Sequence, residues 1–390
     1  MATALYTLTS SLHSETAGEA ISEPFIKSVE RVLGESFEFH GDDFSDYGSH
    51  DADIIYVRTG GTEGIFKSLG LCKPGLQDNG CFRLLTSGRS NSLAASMEIL
   101  AYLEQMGLKG EILHGSAEHI AGRIKSAADG LSDSGVTPWQ KFISNLPVTD
   151  LGGVRLGVIG APSDWLIASG VDYAKARARI GVELIDIPMS ELLGRLPAAK
   201  EIDMRSFEGS EAIYEALRGI VRDFGLGGLT IRCFDLLDTV HNTGCLALAR
   251  LNAEGIPSSC EGDIPALISM VWLQKTRKCP GFQCNLSRID GDNLLFAHCT
   301  VPLSMVSSFS YTSHFESGIG TAIKGVMPEG DIEIFKISPD LEHCVRIPGR
   351  VIRNCSEPDL CRTQIVVHAP GAAGYLLSSP LANHHIISYI

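Results

Sequence analysis

The spacing of apolar residues changes once along this chain, near residue 300, and that change constrains the fold more than any other feature. Before it, short apolar segments typical of buried strands alternate with amphipathic helical segments. Such alternation predicts β-α-β units, in which helices cover a parallel sheet. After residue 300 the strand-like segments are short and separated by glycine, proline and aspartate turns. This second pattern predicts a small antiparallel sheet or barrel.

The 390 residues are enough for two or three domains, and the pattern predicts three. Two doubly wound α/β domains are expected at 1–150 and 151–300, followed by a C-terminal antiparallel β-barrel-like domain at 301–390. Strands are predicted at 5–12, 54–58, 82–86, 111–114, 154–160, 182–187, 229–234 and 294–297, and then at 307–311, 332–337, 345–347, 351–353 and 363–368. Helices are predicted at 23–33, at 92–106 with Asn91 as N-cap, and at 210–224, ending at Gly225.

Composition and charge exclude several classes of protein. The net charge is −14 and no block of lysine and arginine occurs, so nucleic acid is not an expected partner. No apolar run approaches the ~18–20 residues of a membrane span, and the first residues lack the pattern of a signal peptide. The eleven cysteines include no CxxC pair, which argues against a zinc ribbon and a disulfide framework. A cytoplasmic protein with reduced thiols is therefore predicted.

A carboxylate pair opens a helical segment in the middle of the chain. Glu261 and Asp263 precede an apolar run that ends near Gln274, and the strand predicted at 294–297 leads to His298. Carboxylates at a helix entrance and a histidine at a strand end are typical of a metal-assisted site. For Glu261 alone, favourable charge at a helix N-terminus is the alternative interpretation. Asp263 is expected to be an N-cap or to orient a ligand rather than to be one.

Two glycine-containing loops follow predicted strands, where ligands gather in open α/β sheets. The turn at 58–64 has neither of the nucleotide-binding patterns GxGxxG and GxxxxGK[ST], which argues against a nucleotide-phosphate loop. It is either a structural turn or a contact region for a sugar or phosphate. In the loop at 160–169, residues 162–164 either cap a helix that starts at Trp165 or belong to a binding site.

Taken together, these segments resemble the L-fucose isomerase-like and L-arabinose isomerase-like sugar isomerases, and this chain is a divergent member by that resemblance. The resemblance runs over most of the chain. Its landmarks, in order, are Arg58–Glu63, Asn91–Ala94, Gly160–Ser169, the helix after Glu261, Ala297–Cys299, Ser313–Phe315, Cys361–Thr363 and Asn383–His385. It implies two α/β domains followed by a C-terminal β-barrel. It also implies a homo-oligomer, a trimer or hexamer, with active sites between subunits.

The resemblance implies a metal-dependent aldose–ketose isomerase that acts on a small sugar through an enediolate intermediate. The expected cofactor is a divalent metal, Mn²⁺ or alternatively Mg²⁺. In that family the glutamate at the position of Glu261 binds the metal and moves the proton, and an aspartate 24 residues later is its partner. This chain has Asn285 there. By the same match His384 is the third metal ligand, while the neighbouring His385 should point to the opposite face.

Asn285 is the main departure from the family pattern. An amide oxygen can coordinate a hard cation, but it carries no charge and cannot shuttle a proton, so weaker metal binding is expected. Asp290 and Asp292 either compensate for the missing carboxylate or form a hairpin turn. Two hypotheses result: an isomerase with Glu261 and Asn285 as its catalytic pair, or a catalytically weakened homologue that binds a sugar or sugar phosphate.

The substrate-binding residues that the resemblance implies come from five regions of the chain. They are Thr59, Gly60, Gly61, Thr62, Asp164, Trp165, His298, His314 and Asn383. For His298 and His314 a purely structural role, as a buried and hydrogen-bonded imidazole, is the alternative interpretation.

Overall fold

The computed structural model describes residues 3–11, 17–72, 81–128, 142–147, 149–198, 200–378 and 381–390. Within these residues the fold is mixed α/β, with two parallel sheets and a closed antiparallel barrel of six strands. The predicted α/β class and the predicted barrel toward the C-terminus are therefore confirmed. None of the described helices is long and apolar enough to cross a membrane.

The first parallel sheet is built from the N-terminal part of the chain. Its five strands lie in the order β2-β1-β3-β4-β5, with bounds β1 Thr3–Leu8, β2 Glu38–Gly41, β3 Ala52–Val57, β4 Phe82–Leu85 and β5 Gly110–Leu113. The α-helices of this region are α1 Pro24–Leu33, α2 Glu63–Ser68, α3 Ser92–Gln105 and α4 Ala117–Ala128. Every residue of β1 is buried, as expected for a strand covered on both faces. Asn91 does precede α3, but its side chain makes no capping hydrogen bond.

The second parallel sheet has the order β10-β9-β7-β8. Its strands are β7 Val154–Ile159, β8 Val182–Ile187, β9 Gly228–Ile231 and β10 Ser258–Ser259. The accompanying helices are α5 Tyr173–Ile180, α6 Met189–Leu193, α7 Phe207–Phe224, α8 Asp235–Val240, α9 Cys245–Ala253 and α10 Ile264–Arg277. Helix α7 ends at Gly225, whose φ of 62° closes the last turn, as the sequence predicts.

The barrel has the strand order β15-β18-β11-β12-β17-β16 and closes because β15 also pairs with β16. Its strands are β11 Phe282–Asp290, β12 Asn293–His298, β15 Gly330–Ile337, β16 His343–Cys355, β17 Thr363–His368 and β18 His385–Tyr389. Strand β6, Ile143–Asn145, extends this sheet beyond β16. Strands β13 Ser308–Thr312 and β14 Ala322–Val326 form a separate pair, and helix α11 is Ala372–Ser378.

Two details of the barrel differ from the sequence-based expectation. The strands predicted at 345–347 and 351–353 are one strand, β16, which continues through Pro348 and Gly349 because it pairs with β15 along eight residues. Proline and glycine weaken a strand locally, but tertiary pairing overrides that preference. In addition, the barrel begins with β11 and β12, before residue 301.

The described residues form two compact units that alternate along the chain. One consists of Met1–Gln140, Leu286–Leu294 and Pro370–Asn383, and the other of Lys141–Asn285, Leu295–Ala369 and His384–Ile390. In the second unit, α10 packs in one apolar core with β7 and with barrel strands, where the Trp272 and Phe335 rings stack at 5.0 Å. This core fixes the N-terminus of α10, which carries Asp263. The predicted domain boundaries at residues 150 and 300 stay a prediction.

Candidate functional site

The loop between β10 and α10 holds Glu261 in a strained backbone conformation. Glu261 has a φ of 66° and Gly262 a φ of 71°. For a residue with a Cβ this left-handed conformation costs roughly 1–2 kcal/mol. Asp263 then caps α10, since its Oδ1 accepts a hydrogen bond from the Ala266 backbone N–H at 2.7 Å, which confirms the predicted N-cap. Strain at a non-glycine residue of this kind is typical of functional positions.

The loop that follows β7 lies in direct backbone contact with this one. A Cβ placed on Gly262 would lie 2.5 Å from the carbonyl oxygen of Ala161, so only glycine allows the two loops to approach so closely. The Ser163 backbone N–H donates to the carbonyl oxygen of Glu261 at 3.0 Å. The two loops therefore hold the backbone of Glu261 from both sides.

Trp165 binds the carboxylate of Glu261 directly. The indole Nε1–H donates to Oε2 of Glu261 at 2.6 Å, a charge-assisted hydrogen bond. No helix starts at Trp165, and the next helix, α5, begins at Tyr173. The interpretation of residues 162–164 as a helix cap is therefore wrong. Turn hydrogen bonds hold the segment instead, among them the one from the Leu166 N–H to the Ser163 carbonyl.

Two histidines from barrel strands face the other oxygen of the same carboxylate. Nε2 of His384 lies 3.6 Å from Oε1 of Glu261, and Nε2 of His298 lies 3.9 Å from it. His298 ends β12, and His384 immediately precedes β18. The two imidazole rings meet edge to face, with centroids 5.5 Å apart. Glu261 and His384, more than 120 positions apart in the sequence, thus lie beside each other, with His298 close to both.

Asp263 orients His384 from the opposite side. Its Oδ2 lies 2.8 Å from Nδ1 of His384, and both side chains are fully buried. Lys336 on β15 is fully buried as well, and its charge acts on Asp263. Cations and anions therefore alternate along the row Lys336, Asp263, His384 and Glu261. A buried charge needs such partners, because an uncompensated one is very unfavourable.

Electrostatics keep both carboxylates of this row ionised. Burial raises the pKa of Glu261, but the neighbouring His384 and His298 imidazoles outweigh burial and bring that pKa well below its ordinary value. Burial likewise raises the pKa of Asp263, and Lys336 and His384 more than reverse it. For His384 burial lowers the pKa, but Glu261 and Asp263 raise it to about 10. The His384 imidazole is accordingly a cation at neutral pH.

Strand register places Asn285 next to His384. Strands β11 and β18 pair with Phe282 opposite Ile387 and Cys284 opposite His385. Extending that antiparallel register by one residue sets Asn285 opposite His384, on the face away from Cys284. Oδ1 of Asn285 and Nε2 of His384 are both buried, and neither has a hydrogen-bond partner among the described residues. His385 is one step along β18, on the other face, as predicted.

By type of ligand, Glu261, Asn285 and His384 suit a divalent cation, since carboxylate, amide oxygen and imidazole are ligands that Mn²⁺ and Mg²⁺ sites use. Oδ1 of Asn285 has no hydrogen-bond partner among the described residues, whereas Nε2 of His384 lies 3.6 Å from Glu261. To bind a metal, His384 would have to release its proton. A second grouping brings Cys260, Glu261 and His298 within 4.8 Å of one another. Cys260 is the poorer ligand, because its hydrogen bond with Cys233 and its burial hold its pKa well above the usual range.

Two other predicted residues in this unit lie near the cluster without reaching the carboxylate by any described contact. His314 is buried and packs edge to face on Phe234, which packs in the same way on Trp165. Its Nδ1 lies 3.0 Å from the Ser317 hydroxyl, and burial lowers its pKa. Asp164 is 82% exposed and pairs with Arg232 at 2.7 Å. The role of Asp164 is thus a surface ion pair in this conformation.

The remaining predicted residues belong to the first unit, where their described contacts are structural. The Thr59 hydroxyl accepts a hydrogen bond from the Ser10 N–H at 2.9 Å, and the Thr62 hydroxyl donates to the Thr59 carbonyl at 2.9 Å. The Gly60 N–H donates to the Ser90 carbonyl, and Gly61 has a φ of 72°. These contacts favour the structural-turn interpretation. The Asn383 N–H donates to Glu98 at 3.1 Å.

The hairpin interpretation of Asp290 and Asp292 holds. The turn between β11 and β12 lies at Gly291 and Asp292, is exposed, and has a φ of 57° at the glycine. Oδ1 of Asp292 accepts a hydrogen bond from the Gly371 N–H at 2.9 Å. The described hydrogen bond of this carboxylate thus goes to Gly371, and it gives no support to the idea that Asp292 compensates for the missing charge at Asn285.

Sequence reasoning missed Lys336 and Cys233. Lys336 lies in the predicted strand at 332–337 between two buried apolar residues, and a lysine in such a strand was the only signal for it. The Sγ atoms of Cys233 and Cys260 are 3.0 Å apart, a proximity that no spacing in the sequence indicates.

Comparison with known proteins gives no relative for the chain. No family model matches it, and neither does any curated protein.

Proposed function

We propose that the chain is a metal-dependent aldose–ketose isomerase-like enzyme of the L-fucose isomerase type. The observation that carries the proposal is the convergence of His384, His298 and Trp165 on the Glu261 carboxylate, with Asn285 opposite His384 by strand register. Glu261, Asn285 and His384 would hold a divalent metal, Mn²⁺ or Mg²⁺. When bound, such an ion polarises a carbonyl group and stabilises negative charge on the sugar oxygens.

Isomerisation moves one proton between neighbouring carbons and one between their oxygens, and it needs no external oxidant or reductant. Glu261 would be the group that removes the proton beside the carbonyl, since the other carboxylate of the row, Asp263, is engaged by the Ala266 N–H and by His384. Trp165 fixes Oε2, which leaves Oε1 on the side of the two histidines. Nδ1 of His298 lies 2.8 Å from the Thr300 hydroxyl, so Nε2 is available to a sugar oxygen.

The second candidate function is a homologue that binds a sugar or sugar phosphate with little or no turnover. Asn285 is the observation that favours it, because the amide can neither accept a proton nor add charge. Retention of Glu261 and His384 favours the enzyme. The two candidates differ in one measurable property, which is exchange of the substrate proton with solvent.

The test follows deuterium from solvent into C2 of candidate aldoses, with Mn²⁺ present. We expect exchange in the native protein and its loss in Glu261→Gln. Asn285→Asp should raise exchange by about 10²–10⁴-fold, the usual contribution of a positioned acid–base group. Asn293→Asp, in the neighbouring strand, is the matched control and should change nothing. Sugar binding without exchange in all variants would establish the binding protein instead, and a lower rate in Asn285→Asp would point to a different reaction.

Further parts of the proposal come from the same resemblance. The chain is expected to be a homo-oligomer, a trimer or hexamer, in the cytoplasm, with two doubly wound α/β domains before the barrel. Of the further residues that the resemblance implies, His314 is expected to contact the sugar, since it is buried and packs on Phe234 next to Trp165. Light scattering at micromolar concentration tests the assembly, and a monomer would contradict it.

A further inference from the structure

The connection between β2 and β3 lacks the helix that a parallel crossover usually has. Both strands run parallel to β1, which lies between them, so residues 42–51 must return from the end of β2 to the start of β3. Those ten residues form turns and bends, whereas parallel crossovers usually take a dozen or more residues with a helix. The connection therefore depends on side chains to hold its shape.

Aromatic rings supply part of that support. Tyr6 on β1 stacks on His40 at 5.0 Å and on Phe44 at 4.9 Å, and it meets Tyr47 at 5.2 Å. The Tyr6 hydroxyl donates to Oδ1 of Asp46 at 2.9 Å. The rings of His40 and His50 lie next to each other, with centroids 4.7 Å apart. Two imidazoles from opposite ends of the crossover thus meet beside Tyr6.

The segment from residue 38 to residue 53 also concentrates negative charge. It has no lysine or arginine, and its acidic residues are Glu38, Asp42, Asp43, Asp46, Asp51 and Asp53. A cation is the natural complement of this charge. Because the two histidines lie among the carboxylates, the donors are nitrogen and oxygen, a combination that favours Zn²⁺ over Ca²⁺ or Mg²⁺.

Aspartates lie beside Nδ1 of both imidazoles, and Nε2 of His50 has a longer contact, 3.7 Å, with Oδ2 of Asp46. Nδ1 of His40 lies 3.2 Å from Oδ2 of Asp46, and Nδ1 of His50 lies 3.0 Å from Oδ1 of Asp53. A carboxylate on the far nitrogen is the usual way in which a metal-binding histidine is oriented. Nε2 of His40 is buried and has no hydrogen-bond partner among the described residues.

The third donor is Glu38, two residues before His40 in β2, where the register with β1 shifts at His40. Its Oε1 lies 3.7 Å from Nε2 of His40, too far for a hydrogen bond. A tetrahedral zinc site with bonds of 2.0–2.2 Å has ligands about 3.3–3.6 Å apart, which is close to this separation. One donor atom each from Glu38, His40 and His50 lies within 4.8 Å of the other two.

From this geometry we infer that Glu38, His40 and His50 form a zinc site that closes the β2–β3 crossover, separate from the Glu261 cluster. Nε2 of each histidine and one oxygen of Glu38 are the protein ligands, and Asp46 and Asp53 orient the rings. The bound ion joins the end of β2 to the start of β3, in place of the helix that this crossover lacks.

The experiment measures zinc per chain in protein without a histidine tag, in the Glu261→Gln/His384→Gln background that removes the other candidate site. We expect one Zn²⁺ per chain. His40→Gln/His50→Gln should weaken binding by at least about 10²-fold, since loss of an orienting partner alone typically costs 10–100-fold. His119→Gln, an exposed histidine of the same unit, is the matched control and should bind as the background protein does.

Glu38→Gln is a second variant, used in case the double variant does not fold. Glu38 is 54% exposed, so its substitution should leave the packing intact. It should also weaken zinc binding, and X-ray absorption at the zinc edge should detect two imidazoles in the parent. Zinc should raise the thermal midpoint of the parent and leave that of the double variant unchanged. Unchanged zinc stoichiometry in both Glu38→Gln and the double variant, or no zinc bound at micromolar concentration, would overturn the inference.

Discussion

The left-handed backbone of Glu261 predicts an inverted order of stability for a pair of variants. Glu261→Ala and Glu261→Gly both remove the carboxylate and its contacts with His384 and Trp165. The difference between their free energies of unfolding therefore reports the conformational preference of the backbone at this position. Alanine at a φ of 66° costs roughly 1–2 kcal/mol that glycine avoids. Glycine loses about 0.5–1 kcal/mol through its greater freedom in the unfolded chain. The glycine variant should therefore be more stable by about 0.5–1 kcal/mol.

The matched control is Glu215, an exposed glutamate in the middle of α7. There the usual order should hold, with Glu215→Ala more stable than Glu215→Gly by about 1 kcal/mol. Urea unfolding of the four variants measures the two differences, and each pair should share one m-value. An alanine variant at 261 that is more stable than the glycine variant by about 1 kcal/mol, as expected at Glu215, would show that the site stores no backbone strain. Both Glu261 variants should lose proton exchange.

Two further predictions concern glycine packing and acid sensitivity. Gly262→Ala should destabilise the protein by more than about 2 kcal/mol, because the new Cβ would meet the Ala161 carbonyl. Gly291→Ala is the control, since Gly291 has a similar φ with open space around it and its substitution measures backbone strain alone. Equal losses of unfolding free energy for the two variants in urea would contradict the clash. Burial lowers the pKa of His114 from its ordinary 6.5 to about 4, so the buried, neutral His114 contributes fully to the stability of the protein above pH 6.5. That stability is lost as the pH falls toward 4, by about 3 kcal/mol. In urea unfolding at pH 7 and pH 4.5, His114→Gln should lose less stability between the two pH values than the native protein does. An equal loss in both proteins would show that His114 is not the source of the acid sensitivity.

The regular elements were largely predictable because they depend on local periodicity. The buried strand at Thr3–Leu8 and the amphipathic helix Phe207–Phe224 have the apolar spacing of their class, and glycine at 225 ends the helix by its left-handed φ. The bounds of the strand, predicted at 5–12, were wrong, because it begins at Thr3 and ends at Leu8. The barrel partners were less accessible. Strand β16 continues through Pro348 only because β15 pairs with it, and such long-range pairing leaves no trace in the local pattern.

The residues of the candidate site likewise fall into those that the sequence predicted and those that only packing reveals. Glu261, Asn285 and His384 came from the order of motifs, and the strand register brings the last two together. The Lys336 charge and the Cys233–Cys260 contact depend on packing between segments far apart in sequence. Trp165 was expected to contact the sugar, and its described contact is the Glu261 carboxylate. Motifs indicated which residues matter, whereas packing determines what each of them touches.

The charge balance of the buried row bears on the role of Asn285. With His384 protonated, Lys336 and His384 offset Asp263 and Glu261, so the row is neutral without any metal. An aspartate at 285 would add a negative charge that only a bound cation could offset fully, since buried unpaired charge is unfavourable. Asparagine is therefore compatible with a site that stays folded in its metal-free form. Asn285→Asp should accordingly lower the thermal midpoint in chelator and show a larger rise with Mn²⁺ than the native chain. If the midpoint in chelator is unchanged, the side chain at 285 does not face this charge row, and Asn285 has no place in the proposed metal site.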